Sequence, residues 1–313
     1  MTIKESAANM AERINGLLLR KDVVGVTSGT AIPKDYCALP GGEMAKNLGP
    51  GLEKYDFPVF KIGPGTGPNP LSPLMEILQG KNIVATGGDI ENPLTRVNIY
   101  KFPPEDLWTV TIRQREQSPR VPCGWGIPGE ADNREALMDQ PAENYRSLIG
   151  PDRLKRPNWS LFQLLPTPHW IRTERGMEPI TTPLAEMSTV GDGKRWVNDY
   201  ATVLFIPCAW DETKFFFCMG GNHALGTWIA QDVATLTPVL IDPKGQRIVF
   251  EGIDKFLADI YDVTREGNDF FQAIGAVLDY ERLNGEGRLE RVGAIRTVGV
   301  FNLTRLFGEN KIA

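Results

Sequence analysis

The feature of this sequence that most restricts its fold is the concentration of prolines in one segment. Twelve of the 24 prolines lie between Pro103 and Pro183, and only three occur in the 130 residues that follow. Each proline removes a backbone N–H donor and disfavours helical geometry in the residue before it. The segment therefore cannot consist mainly of long helices or central strands. Because it also holds Trp108, Trp125 and Trp159, we expect an extended, irregular arm that packs on protein rather than a solvated linker.

Composition and charge exclude several classes of protein. With 313 residues, 42% of them hydrophobic and 23% charged, the chain is long and apolar enough to build a core. The formal net charge of −5 creates no overall positive field, so neither nucleic acid nor an anionic membrane is expected as a partner. The longest apolar stretch, from Val203 to Trp210, is much shorter than the roughly 20 residues that cross a bilayer. We expect a soluble, cytoplasmic protein.

The N-terminal part contains one clear helix signal. Thr2 and Glu5 have the spacing of a capping box, and apolar residues follow at intervals of four and three. This stripe either docks on its own domain, which we favour, or forms a short seam with another subunit. Downstream, glycine-rich stretches predict loops between short strands, one of them from Asn82 to Thr86. The residues of the helical stripe are Ile3, Ala7, Met10, Ile14 and Leu17.

The C-terminal third shows regular strand and helix patterns. Two hairpins are predicted, in residues 201–219 and 238–250, because β-rich runs flank short turn sequences. Helical spacing then begins at Ile253 and again at Phe270, and residues 292–306 predict one or two closing strands. No alternation of strands and helices indicates a parallel, doubly wound sheet. The predicted fold class is therefore α+β, with an antiparallel sheet and packed helices in the C-terminal part and a long, proline-rich irregular arm.

These patterns divide the chain into three parts. Residues 1–102 hold the N-terminal helix, short strands and glycine-rich loops, residues 103–200 form the Pro/Trp-rich arm, and residues 201–313 form the α+β core. The alternative is one intertwined domain, because a structureless segment as long as the arm is unusual inside a compact domain.

The best candidate for catalysis is the pair Cys218 and His223, at the end of a predicted strand. A cysteine nucleophile needs a nearby base and an oxyanion hole, and the Gly-Gly sequence between the two residues offers backbone N–H groups for the latter. Asp211 or Asn222 would orient the imidazole. The competing interpretation, which we favour, is that Cys218 is a small buried hydrophobe, because it follows the run Phe215–Phe217.

No cofactor or metal site is predicted. The glycine cluster in residues 63–68 lacks the third glycine of a dinucleotide-binding loop, and Pro64 and Pro68 remove two backbone donors. The only two histidines, His169 and His223, lack metal-ligand spacing, and the four cysteines form no CxxC pair.

Two other kinds of site stay open, a pair of carboxylates for acid/base catalysis and an aromatic platform that binds a sugar or a base. An oxygen-ligand site also stays open, built from Asp192, Asp199, Asp211 and Glu212.

Three functions follow as hypotheses. The leading one is a structural subunit of a large multi-subunit assembly, above all a virion protein of the capsid, neck or tail, in which the arm and the N-terminal helix contact other subunits. Its partners would be copies of itself or other subunits. The alternative is a soluble enzyme of acyl transfer or hydrolysis that uses Cys218 and His223, with Asp211 as the orienting residue. A third possibility is a module whose tryptophans bind a small ligand.

Overall fold

The computed structural model describes the chain in several stretches that together build one large sheet and one small sheet. These stretches are residues 1–28, 55, 57, 59–62, 76–88, 92–100, 120–121, 123–124, 170–173, 176–179, 197–221, 224–235, 239–241, 247–264 and 269–307. The helices are α1 (Ile3–Leu18), α2 (Pro93–Tyr100), α3 (Ala224–Thr235), α4 (Ile253–Val263) and α5 (Thr304–Phe307).

The first six strands along the chain are β1 (Val23–Ser28), β2 (Val59–Ile62), β3 (Asn82–Thr86), β4 (Cys123–Gly124), β5 (Trp170–Thr173) and β6 (Gly176–Pro179). The remaining described strands are β7 (Val197–Pro207), β8 (Phe215–Gly221), β9 (Val239–Ile241), β10 (Arg247–Glu251), β11 (Phe271–Leu283) and β12 (Leu289–Asn302). The large sheet has nine strands in the order β2-β1-β3-β8-β7-β11-β12-β10-β9, and the small sheet has the order β4-β5-β6.

The large sheet is mixed, so the predicted fold class, an antiparallel sheet in the C-terminal part, is wrong. Strands β2, β1, β3 and β8 are parallel to one another, and so are β10 and β12. The pairs β7–β8, β7–β11, β11–β12 and β9–β10 are antiparallel. The sheet thus joins strands of the N-terminal part to strands of the C-terminal part. Every residue of β3 is buried, as is typical of a strand covered on both faces.

The segment starting at Phe270, predicted to be a helix, is strand β11 instead. All residues from Phe271 to Val277 are buried, so apolar side chains occupy both faces of the strand and the alternation of a half-exposed strand is lost. An apolar run of that kind cannot be distinguished from a buried helix by its periodicity. The strand is also long, because it pairs with β7 on one side and β12 on the other.

The prediction that the arm is largely irregular is also wrong for most of the arm residues that the structure describes. Cys123–Gly124, Trp170–Thr173 and Gly176–Pro179 form the three-stranded antiparallel sheet. Short strands at a sheet edge can accommodate nearby prolines, because only the ladder positions need a backbone N–H group. Apart from Arg120 and Val121, the other residues of the arm up to 196 lie outside the described residues, and so does the glycine cluster at 63–68.

Several local predictions are confirmed. Helix α1 begins with the predicted capping box, in which the Glu5 amide donates to Thr2 Oγ1 over 3.2 Å and the Thr2 amide donates to the Glu5 carboxylate over 2.6 Å. The hairpins β7–β8 and β9–β10, helix α4 and strand β3 occur where the sequence places them. The predicted closing strand is β12.

Helices cover both faces of the large sheet. On one face, α1 packs against α3 and α4, and the Arg13 guanidinium of α1 lies 5.7 Å from the ring centre of Phe271. The ring of Phe271 contacts that of Phe205 on the same face. Cys218 of β8 lies opposite Leu204, the residue before Phe205 in β7. Because side chains alternate along a strand, the Cys218 side chain points to the face opposite that of Phe205. Thr95 of α2 meets Cys218 there.

Arg13 fastens the N-terminal helix to the C-terminal part of the chain. Its guanidinium donates to the Thr264 carbonyl over 3.2 Å, to Thr264 Oγ1 over 3.0 Å, and to the Asp269 carbonyl. Burial lowers the pKa of Arg13 to about 10, although the carboxylate of Asp269 acts in the opposite direction. The side chain therefore stays charged at neutral pH, and its charge is balanced by oxygen atoms at the edge of the core.

Candidate functional site

The candidate nucleophile Cys218 lies inside the large sheet. It is fully buried in β8, between Ala85 of β3 and Leu204 of β7. Its Sγ atom donates to the Gly87 carbonyl over 3.5 Å and lies 3.5 Å from Thr95 Oγ1. A thiolate has no proton to donate to a carbonyl, so these contacts favour the protonated thiol.

Around this thiol, buried polar groups hold the carboxyl end of β3 against α2. The Asn92 side-chain amide donates to the Thr86 carbonyl over 2.9 Å, and Asn92 Oδ1 accepts from the Leu94 amide over 3.0 Å. Thr95 Oγ1 donates to the Gly87 carbonyl over 3.0 Å. Asn92 therefore acts as the N-terminal cap of α2, and each bond supports the turn that follows β3.

The glycine pair after Cys218 lies where β8 leads into α3. A Cβ atom added to Gly221 would lie 2.3 Å from the Thr227 amide nitrogen and 2.5 Å from the carbonyl carbon of Gly226. No side chain fits at that distance, so the first turn of α3 can approach the strand only because this residue is glycine. This close approach gives Gly221 a packing role whether or not its amide takes part in chemistry.

The structure does not bring Asp211 to Cys218. Asp211 lies in the turn before β8, where its Oδ1 accepts from the Thr213 amide over 3.1 Å and from Thr213 Oγ1 over 2.6 Å. Cys218 is three residues into the strand, about 10 Å from its start. The Gly-Gly sequence lies at the carboxyl end of β8, the end opposite Asp211. Since Asn222 and His223 lie outside the described residues, the pairing of Cys218 with His223 stays a prediction.

A second buried cysteine, Cys208, lies just after β7. Burial raises the pKa of its thiol to about 12, against the smaller opposing effect of hydrogen bonds from the amides of Trp210 and Asp211. Its amide donates to the Lys214 carbonyl over 2.8 Å, which closes the β7–β8 turn. At neutral pH Cys208 is a protonated, inert thiol.

One chemistry-bearing residue was missed by the sequence analysis. Asp232 lies on α3 with only 2% of its surface exposed, and burial raises the pKa of its carboxyl group to about 8. The sequence did contain a signal, because Gln231 and Asp232 interrupt an otherwise apolar helix. In the described part of the chain, no group of three His, Cys, Asp or Glu side chains is arranged to hold a metal ion.

The burial of both cysteines predicts protection from alkylation. In native protein treated with iodoacetamide near neutral pH, we expect Cys208 and Cys218 to react at least about tenfold more slowly than in the urea-unfolded chain. Peptide mapping by mass spectrometry measures each cysteine separately, and Cys208 serves as the internal standard for an inert thiol. Rapid modification of Cys218 alone in the native protein would instead support the nucleophile hypothesis.

Comparisons with protein families, with curated proteins and with solved structures find no match to this chain. Among the described helices, none combines the length and apolar character needed to cross a membrane.

Proposed function

We propose that this chain is a structural subunit of a large multi-subunit assembly, of the kind that builds the capsid, neck or tail of a virus particle. Its place would be the cytoplasm or a particle assembled there. The observation that carries the proposal is an ordered ribbon at the end of β11 and β12 that presents two leucines to solvent. Leu283 and Leu289 are 66% and 60% exposed, although they face each other across the two strands.

An exposed apolar pair on a rigid element is typical of a contact surface. Single exposed leucines are ordinary on protein surfaces, but two neighbours on one ribbon form a continuous apolar patch. Further large apolar side chains are exposed at the start of α1, where Met1 and Ile3 are 67% and 53% exposed. The sequence adds the tryptophans of the arm, which need protein surface to cover them.

The proposal predicts self-association of the full chain. In sedimentation velocity across the micromolar range, we expect a large oligomer, or one whose size rises with protein concentration. Removal of residues 103–183 is expected to reduce the oligomer. Far-UV circular dichroism and thermal unfolding of the shortened chain provide the control that the large sheet persists. A monomer at every concentration would contradict the proposal.

A further inference from the structure

We infer that the end of the β11–β12 hairpin is a contact between two copies of this chain, related by a twofold axis. We call this region the ribbon tip and define it as residues 280–292. The inference rests on the proposed function and names its partner, a second copy of the same chain.

The ribbon tip extends beyond the described parts of the strands that flank it. Strand β11 pairs with β7 only as far as Asp279, whereas its pairing with β12 continues to Leu283 and Leu289. On the other side, β10 reaches β12 no further out than Val292. Within the described residues, the last pairs of the hairpin therefore have each other as their only strand neighbours.

The tip is held in place by a tight turn. Asn284 Oδ1 accepts from the amides of Glu286 and Arg288 over 3.0 and 2.9 Å, and the Asn284 amide donates to the Arg288 carbonyl over 2.8 Å. Gly287 has a φ of +73°, a left-handed conformation that favours glycine. The turn is therefore ordered before any partner binds, which lowers the entropic cost of association.

A charged brace ties the ribbon to β10. The Arg282 guanidinium lies 3.3 Å from the carboxylate of Glu290 on β12 and also contacts the carboxylate of Glu251 at the end of β10. A two-stranded ribbon is only marginally stable by itself, so this contact across three strands supports the projecting end. The brace occupies one face of the ribbon.

The two leucines occupy the other face. Side chains alternate along a strand, so Leu283 and Leu289 point away from Arg282 and Glu290. They lie on the same side as Val277 and Ile295, which α4 and the core cover further along the same two strands. The tip thus continues the core-facing side of the sheet into solvent, where α4 no longer covers it.

The balance of charges favours a second copy as the partner. Whereas the whole chain carries a net charge of −5, the described charged side chains of the tip are two cations and two anions, namely Arg282, Arg288, Glu286 and Glu290. A twofold contact places one patch against the same patch, so the patch must be complementary to itself. The tip satisfies that condition, because the leucines of one copy can pack on those of the other and its cations can meet the other copy's anions. A strongly charged partner would gain no electrostatic attraction from a patch without net charge.

A pair of charge variants tests the inference directly. One variant carries Leu283→Lys with Leu289→Lys, and the other carries Leu283→Glu with Leu289→Glu. Alone, each is expected to weaken self-association by about tenfold or more in sedimentation velocity, because like charges then face each other. Mixed in equal amounts, the two are expected to recover association, because opposite charges meet across the twofold axis.

The matched control is Val263→Lys, because Val263 is 41% exposed at the end of α4 and its carbonyl accepts from Asn302, at the opposite end of β12 from the tip. We expect this variant to associate like the unaltered chain, and thermal unfolding to show that all variants keep the fold. Unchanged association of both double variants would overturn the inference while leaving the proposed function intact. Loss without recovery on mixing would overturn the twofold contact. If the unaltered chain is monomeric, the proposed function and the inference both fail.

Discussion

Replacing Asp232 with asparagine is expected to remove a strong pH dependence of folding stability. The pKa of this carboxyl group is about 8 in the folded chain, against an ordinary value of 3.8. At a pH between these two pKa values, the Asp232 carboxyl group is ionised in the unfolded chain and protonated in the folded chain. The free energy of unfolding therefore falls as pH rises through this range. At about 1.4 kcal/mol for each pH unit, the total loss between pH 4 and pH 8 is at most about 5 kcal/mol.

The measurement is urea unfolding of both chains at about pH 5 and about pH 8.5. We expect Asp232→Asn to exceed the unaltered chain in stability at the higher pH by a few kcal/mol, and the difference to shrink at the lower pH, because the amide cannot ionise. Asp254→Asn is the matched control for the loss of one carboxylate, since Asp254 is exposed on α4. Parallel pH profiles for the unaltered chain and Asp232→Asn would contradict the prediction.

The second large effect is expected at Phe205, in the centre of the core. Its ring is fully buried, and it lies 5.4 to 6.3 Å from the ring centres of four other phenylalanines. Truncation to alanine removes apolar contacts and leaves a cavity that the sheet cannot close, so we expect Phe205→Ala to cost about 3–5 kcal/mol of unfolding free energy. The four partners are Phe215, Phe217, Phe270 and Phe271.

Chemical denaturation of Phe205→Ala and of Phe205→Leu separates the cavity from the loss of aromatic contacts. The leucine variant keeps most of the volume, so it is expected to lose less than the alanine variant. A loss below about 1 kcal/mol for the alanine variant would show that the neighbouring rings close the space, contrary to the packing described above.

The elements that could be predicted from the sequence are those whose signals are local. The capping box at Thr2 and Glu5 and the turn residues between β9 and β10 act within a few positions, so their patterns survive in one sequence. The sequence of helix α4 shows a clear stripe of apolar residues because one face of the helix is buried and the other is exposed.

The parallel half of the sheet could not be predicted in this way. The pairing of β3 with β8 joins residues about 130 positions apart, for example Ala85 and Cys218, and no local pattern records it. The first half of strand β11, from Phe271 to Val277, is buried on both faces, so its apolar residues fit more than one periodicity. Both failures have the same cause, which is that the long-range contacts, rather than the local spacing, determine these elements.

The candidate site shows the same division. The run Phe215–Phe217 before Cys218 correctly indicated burial, because consecutive aromatic residues in a strand imply cover on both faces. The hairpin predicted in residues 201–219 already placed Asp211 in the turn before β8, at the end of the strand away from the Gly-Gly sequence. Asp232 was overlooked because a lone carboxylate in a helix is usually solvated, and the apolar residues around it in α3 were not taken as a sign of burial.

The contact of Arg13 with Thr264 and Asp269 has a consequence for how the protein is made. Helix α1 is synthesised long before α4, against which it packs, and the oxygen atoms that bind Arg13 lie about 250 residues further on. During translation the part of α1 that packs against α4 therefore stays without this cover until residues 253–263 have left the ribosome. The core between α1 and α4 can therefore close only after these residues have emerged, and the apolar side chains between them must be kept from aggregation until then.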